Sequence, residues 1–534
     1  MKSFFIFLFI VFFYAQATYS QELRIDSTRF ISGNNCCTQV NYAIPTTDKG
    51  VLLVGLDAGN PGGIIPYFPM DISDNGNVFI VKIDSNQQIS WIKVYGGSST
   101  DAAASACQTL DGGYAILAGT ASNDGNVTGY KGGEGDFWLL RLDGSGNLLW
   151  EKTFGSSAQD APTSIANTPD HGFILSGITN GSDGDVPFHY GDFYSFDWLV
   201  IKTDSLGNKQ WSKDLGGTGD EDQQGSILSV DSSYYLISST DSKDHDCTDT
   251  AWHAGVNTYT DYYILKLNDT GKVVWDSSYG GSGPDGPYSA MFDARDSTIV
   301  MNGVTYSGDY MVTGYKGNED MWVIKVNKNG TLIWQKTLGS PNQETGTGIC
   351  EAPNGGYMAY GWTHNSRIGE EGMWFFVLDN SSNEITNKIF GGSSNNMSSS
   401  VVPYLSGYAA TGNSTSHTFT EGSTYGYFDG TPFSPFISYI DSSPLSVNNV
   451  HSINKNVIGI YPNPTHNNIT IIIPENQSGI LMIINEIGQV IYKEQTHWQT
   501  GSINIGVTEW CSGVYFVEWN NADGIVLTTK FVKM

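Results

Sequence analysis

The stretch Phe137-Trp138-Leu139-Leu140-Arg141-Leu142-Asp143-Gly144-Ser145-Gly146-Asn147-Leu148-Leu149-Trp150-Glu151-Lys152-Thr153-Phe154-Gly155 decides how this chain folds. In Phe137–Leu142 both alternating faces are largely apolar, which is the pattern of a strand buried on both sides. Asp143 to Asn147 are turn formers, and a second strand runs on through Trp150. No helical period fits. The phrase recurs. Trp91, Trp150, Trp211, Trp275 and Trp334 open WIKVYGG, WEKTFGS, WSKDLGG, WDSSYGG and WQKTLGS, at spacings of 59, 61, 64 and 59 residues. A further copy, TNKIFGG, starts at Thr386 without the Trp. A turn and strand such as DGGYAILAGTAS, DHGFILSGIT or NGGYMAYGWT comes earlier in each unit.

Each unit therefore reads as four short strands joined by Gly, Asn and Asp turns. A four-stranded sheet with two apolar faces must stack on neighbours to hide them. Units of this size stacked face to face predict the blades of an all-β fold, a β-propeller over residues 21–441. Seven blades fit, with six or eight as alternatives. The last unit ends at Asp441 without its Trp-type strand. Arg24 to Gly33 (RIDSTRFISG) resembles the missing phrase, so N-terminal and C-terminal strands are expected to close the ring in one sheet.

Composition excludes several classes. The chain has 534 residues, 26 Lys+Arg against 54 Asp+Glu, and a formal net charge of −28. So acidic a surface repels phosphate, which argues against a nucleic-acid partner. Aromatics at 13% and 63 Gly argue against both a disordered acidic tail and a helical bundle. Residues 1–20 read as a signal peptide: Lys2, an apolar run from Phe4 to Phe13, and Ala15-Gln16-Ala17. That run is too short to span a bilayer, and no transmembrane segment is expected elsewhere. Six Cys are too few for a disulfide scaffold. A Cys37–Cys107 bridge and small buried thiols are both open readings.

One register pairs charges. Lys82, Arg141, Lys202, Lys266 and Lys325 each stand 19 residues before Asp101, Asp160, Glu221, Asp285 and Glu344. In the next unit both charges vanish, at Val377 and Asn396. The joint loss predicts repeated structural ion pairs, because a lone buried charge is costly. The rival reading is a ring of acids gripping a cation or a cationic ligand.

Candidate sites are sparse. The acidic turns carrying Asp124, Asp183 and Asp185 offer oxygens that Ca²⁺ would take, although Asp-Gly turns form without metal. Loop aromatics that do not follow the repeat, Tyr190, Trp252, Trp362 and Tyr425, together with His253, are candidate contacts for glycan or protein ligands. There is no G-x-S-x-G, H-E-x-x-H or P-loop phrase, so no catalytic residue is assigned.

After Asp441 a polar linker, residues 442–454, leads to short strands over 455–534 that predict a small Ig-like β-sandwich. This module resembles the type A C-terminal sorting domain of the type IX secretion system of Bacteroidota. The matching residues are Tyr461-Pro462-Asn463-Pro464-Thr465, Asn485-Glu486-Ile487-Gly488-Gln489-Val490, Ser512-Gly513-Val514-Tyr515-Phe516 and Lys530-Phe531-Val532-Lys533-Met534. The resemblance implies handling by the type IX machinery, passage through the outer membrane, removal of the module, and release or attachment at the cell surface; with the signal peptide, export crosses both the inner and the outer membrane. The W-x-K-x-[YFL]-G-G and D-G-G-Y phrases are similar to propeller-type repeats of secreted bacterial and archaeal proteins, which implies the fold and no activity. The reading that follows is an exported binding or adhesion module for glycan or surface protein. The alternatives are a polysaccharide hydrolase or lyase working at a propeller mouth, and a structural envelope component.

Overall fold

The computed structural model of the chain describes residues 23–30, 38–57, 76–192, 194–222, 224–249, 260–353, 355–365, 370–391, 396–414, 420–421 and 434–441, and then 459–461, 468–472, 479–485, 489–496, 502–521 and 526–533. Two compact units divide at residue 442. The expected signal peptide, the linker, Cys36, Cys37, Trp252, His253 and Tyr425 lie outside the described residues.

The first unit is a ring of seven antiparallel sheets. Blade 2 shows the plan, with strands Asp101–Gln108, Tyr114–Thr120, Asp136–Leu142 and Leu148–Phe154 in that order. Blades 1, 3, 4 and 5 repeat it, starting from Thr38–Pro45, Asp160–Asn167, Ser226–Val230 and Asp285–Asp293. Blade 6 starts at Gln343–Glu351 and gains a short fifth strand, Thr420–Glu421. Blade 7 holds Asn396–Tyr404, Gly407–Ser414 and Ser434–Asp441, and its outer strand is Arg24–Phe30 from the N-terminus. Arg24 lies opposite Asp441, and Phe30 opposite Phe436. The ring is thus closed as the repeat predicts, with seven blades.

Two-sided burial is what makes the blades stack. In Phe137–Leu142, Trp138, Leu140 and Leu142 pack against blade 1 while Phe137 and Leu139 pack against blade 3. Seven such apolar cores exist, one at each blade junction, including that between blades 7 and 1. The repeated Trp residues seal the outer edges. Trp91 meets the Tyr114 ring of the next blade at 5.9 Å, and its indole N–H donates to Gly144 O at 3.3 Å. Its ring covers Gly146, whose φ of +77° favours glycine and whose missing side chain leaves room for the indole. This is why a glycine stands in the D-G-S-G-N turn.

The second unit is a β-sandwich. Sheets of three and four strands close on Ile469, Ile471, Leu481, Ile483, Val517, Trp519 and Phe531. No helix in the described residues is long and apolar enough to cross a membrane.

Candidate functional site: the central channel and its acidic face

The innermost strand of every blade contributes to one central channel of about 1080 Å³. Every blade but the first contributes a small hydroxylated residue to its wall, Ser105, Thr163, Ser226, Ser289, Thr347 and Ser400 among them. A register shift in the inner strands, as between Ala103 and Ser105 or between Pro162 and Ser164, adds the local twist that fits a strand to a narrow ring.

Each inner strand runs from one face of the ring to the other, and the charges separate accordingly. The five expected ion pairs do not form. Lys82 Nζ donates to Asp48 at 2.8 Å, Arg141 to Asp111 at 2.6 Å, Lys202 to Asp170 at 2.8 Å and Lys325 to Asp296 at 2.5 Å. Lys266 sits 5.2 Å from the Tyr235 ring centre. The partner acids belong to the turn between the first two strands of the same blade. Asp101 instead lies beside the start of the lysine strand, its N–H donating to Gly76 O at 3.0 Å. Lys82 is six residues further along, roughly 20 Å away at strand rise. Asp160, Glu221, Asp285 and Glu344 are placed in the same way, donating to the carbonyls of Gly135, Phe196, Thr260 and Glu319. Constant spacing here reports a segment without insertions, not a contact.

The acids form an acidic face. Asp101 accepts from the hydroxyls of Thr120 and Ser122 and from Gly97 N–H. Glu221 and Glu344 accept likewise from Thr240 and Thr363, both at 2.8 Å. A second carboxylate, from the start of the third strand, lies close by: Asp136 beside Asp160, Asp197 beside Glu221, Asp320 beside Glu344. Burial pushes Asp136 up to about 7, and the Asp160 charge adds to the rise. Asp285 rises to about 7 and Asp320 to about 6, burial again leading.

The expected calcium oxygens are otherwise engaged. Asp124 accepts from Ser98 N–H at 2.7 Å, and Asp183 from the N–H and hydroxyl of Ser157, both at 2.7 Å. Asp185 lies between Lys209 and Lys131, at 2.5 and 3.3 Å. Among the described residues, the three ligating groups that converge are His189, Asp197 and Asp214. Of the expected loop aromatics, Tyr190 stacks on His245 with ring centres 4.2 Å apart, away from the channel, while Trp362 lies not in a loop but in the strand Tyr357–Asn365, where it lines the channel.

Trp362 has company that the sequence reading missed. Tyr288, Tyr306, Glu319, Gln224 and Thr345 join it at the channel mouth on the acidic face. Tyr306 donates its hydroxyl to Glu319 at 2.6 Å, and Thr345 donates to the other Glu319 oxygen. Burial first, then the Glu319 bond, raises the Tyr306 phenol. Tyr306 directly follows the second strand of its blade, and Glu319 directly precedes the third. Position relative to the strand ends was the available signal.

No curated protein matches the chain. Solved structures similar to it include the Neurospora crassa Pan2 WD40 domain, at 10% identity and a TM-score of 0.43, covering 78% of this chain and 96% of that one. A Pyrococcus horikoshii acylaminoacyl peptidase matches at 10% identity and 0.40, covering 83% and 59%. A DUF4221 family member from Bacteroides vulgatus matches at 11% and 0.34, covering 80% and 100%. Residues 459–534 match the family model described as a secretion system C-terminal sorting domain, so this unit is a type IX sorting domain and the chain carrying it is exported to the cell surface or released.

Proposed function

We propose that the propeller is an exported binding module that takes a neutral, hydroxyl-rich ligand, a glycan chain, at the channel mouth on its acidic face. The observation that carries this reading is the grouping of Trp362, Tyr288 and Tyr306 beside Glu319, Gln224 and Thr345, above a wall of Ser and Thr hydroxyls. Aromatic rings offer flat apolar surface to a sugar ring, and carboxylate, amide and hydroxyl groups orient its hydroxyls. The Glu319 carboxylate is fixed by two hydroxyl donors, so it meets a ligand already oriented. Residues 1–20 act as the export signal in this reading, and the sorting domain delivers the propeller to the surface, where glycans of neighbouring cells or of the medium are met.

The test is a glycan and surface-protein binding screen with the exported chain, followed by calorimetry on any hit. Trp362→Ala and Tyr306→Phe are expected to weaken glycan binding at least tenfold, with folding retained. Binding that survives both substitutions rejects this mouth as the site. Shortened glycan products in the same incubations favour the hydrolase or lyase reading instead.

A further inference from the structure

Blade 3 departs from the repeat in two segments, and the two segments meet. In the outer strand the phrase WSKDLGG places Asp214 where other blades carry Val94, Thr153, Ser278 and Thr337. In the loop before the third strand, backbone N–H groups fix the alignment: Lys131 donates to Asp136, Tyr190 to Asp197 and Lys316 to Asp320. The residues just before these are Tyr130, His189 and Tyr315. Blade 3 has therefore exchanged a tyrosine for an imidazole and a lysine for a tyrosine. In blades 2 and 5 those lysines hold an ammonium over the acid pair, donating to Thr153 O at 3.3 Å and to Gly339 O at 3.0 Å. Blade 3 lacks that ammonium and gains a further carboxylate.

Ligand atoms of His189, Asp197 and Asp214 lie within 4.8 Å of one another. Asp214 is 1% exposed, and neither of its oxygens accepts a hydrogen bond from an N–H or hydroxyl group; its neighbour is the Asp197 carboxyl. Asp197 is fully buried, and its Oδ1 is likewise unpartnered. Glu221 Oε2 borders the same space and also has no partner. His189 Nε2 faces the Asp192 carbonyl at 3.0 Å. A carbonyl only accepts, so Nε2 carries a proton, and in the neutral ring Nδ1 presents its lone pair. That nitrogen is 2.9 Å from Asp197 Oδ2, off the line of a hydrogen bond. Buried acceptors facing acceptors need a proton or a cation between them.

We propose that His189, Asp197 and Asp214 bind one borderline divalent cation of the zinc or manganese type, with Glu221 at its edge. An imidazole nitrogen with carboxylate oxygens suits these ions, whereas Ca²⁺ prefers an all-oxygen set. The Nε2 bond to the Asp192 carbonyl is the outer contact that orients a metal-binding histidine. The cation takes the electrostatic place that Lys131 and Lys316 fill in blades 2 and 5.

The full chain, stripped with chelator and dialysed, is titrated with ZnCl₂, MnCl₂ and CaCl₂ by calorimetry, with bound metal counted by mass spectrometry. The wild type is expected to take up one equivalent of Zn²⁺ or Mn²⁺. Asp214→Thr and His189→Tyr each restore the residue carried by other blades, and each is expected to lose that equivalent with an unchanged far-UV spectrum. Should a variant misfold, the wild type's own stoichiometry and ion preference still decide. No saturable uptake by the wild type overturns the proposal and leaves protons shared among the acids. Equal uptake by folded Asp214→Thr, or a preference for Ca²⁺, overturns it as well.

Discussion

Asp136 of blade 2 and Asp160 of blade 3 approach each other around Gly155, where an added Cβ would overlap oxygens of both carboxylates. The same arrangement joins Asp320 to Glu344 around Gly339. In each case an acid pair is buried at a blade junction, with one lysine ammonium, Lys131 or Lys316, for two carboxyl groups. The junction is therefore most comfortable with one acid protonated.

Stability should fall as pH rises through neutrality. Asp136, Asp285 and Asp320 have folded values near 7, 7 and 6, above the ordinary 3.8. Their contribution is full below 3.8 and is lost as pH climbs to those values, because the native state binds the extra protons. On the other face, burial alone would raise Asp170 and Asp293. Bonds from Lys202 to Asp170, and from Arg295 and Tyr357 to Asp293, outweigh burial and hold both near 2. Their contribution is present above 3.8 and disappears as pH falls toward 2. A chemical-denaturation series should show maximal stability at about pH 4 to 5, declining toward pH 8 with a slope of up to ~1.4 kcal/mol per pH unit for each proton released. A profile flat from pH 5 to 8 contradicts this account.

Asp136→Asn isolates one junction. Blade 1 already carries Asn77 at the equivalent position, next to Asp101. The variant should match or trail the wild type at pH 4.5 and exceed it at pH 8, with a shallower slope between. The measurement is the same denaturation series run on both proteins.

Lys202 and Asp170 should respond unequally to truncation. The lysine side chain is 4% exposed and the aspartate 48%. Asp170→Ala leaves a buried ammonium with Thr203 O and the Gln210 side chain as its remaining partners. It should cost about 1 to 3 kcal/mol, the lower end reflecting solvent around the aspartate. Lys202→Met leaves an acid that water can reach, and should cost less. Equal losses in denaturant melts would reject this asymmetry.

Gly146→Ala should destabilise the junction between blades 1 and 2. The φ of +77° strains an L side chain, and the new methyl would press on the Trp91 ring. A loss of about 1 to 3 kcal/mol is expected. Quenching or a shift of tryptophan emission would register the displaced indole.

Removing residues 1–30 takes away the outer strand of blade 7. The remaining ring keeps three strands in that blade and exposes the edge of Ser434–Asp441. Limited proteolysis is expected to start in blades 6 and 7, with a broadened melt. A sharp, unshifted melt would show that the strand is dispensable.

The blade plan was legible because two-sided burial writes itself into consecutive residues such as Phe137 to Leu142, and because the missing outer strand left a gap that Arg24–Phe30 could fill. The ion pairs were misread for a topological reason. The 19-residue interval links two points of the ring that lie on opposite faces, whereas Lys82, Arg141 and Lys202 reach turn acids 34, 30 and 32 residues before them. Those intervals vary, so the register hid them. Where Val377 replaces the base, the sequence carries Asn354 at the position aligned with Asp111 and Asp170. The cluster at His189 and Asp214 was visible only as two departures from the repeat 25 residues apart in sequence. Their convergence depends on an outer strand crossing beside the loop, and no linear phrase records that.

The partnership of Arg24–Phe30 with Ser434–Asp441 also sets an order of events. A polypeptide emerging from a ribosome or a translocation pore presents the first of these segments early and the second only when nearly the whole toroid is out. Until then blade 7 lacks the strand that Arg24–Phe30 pairs with, so its sheet is completed only by the last stretch of the propeller. A molecule cut short before residue 434 would leave Arg24–Phe30 without its partner strand.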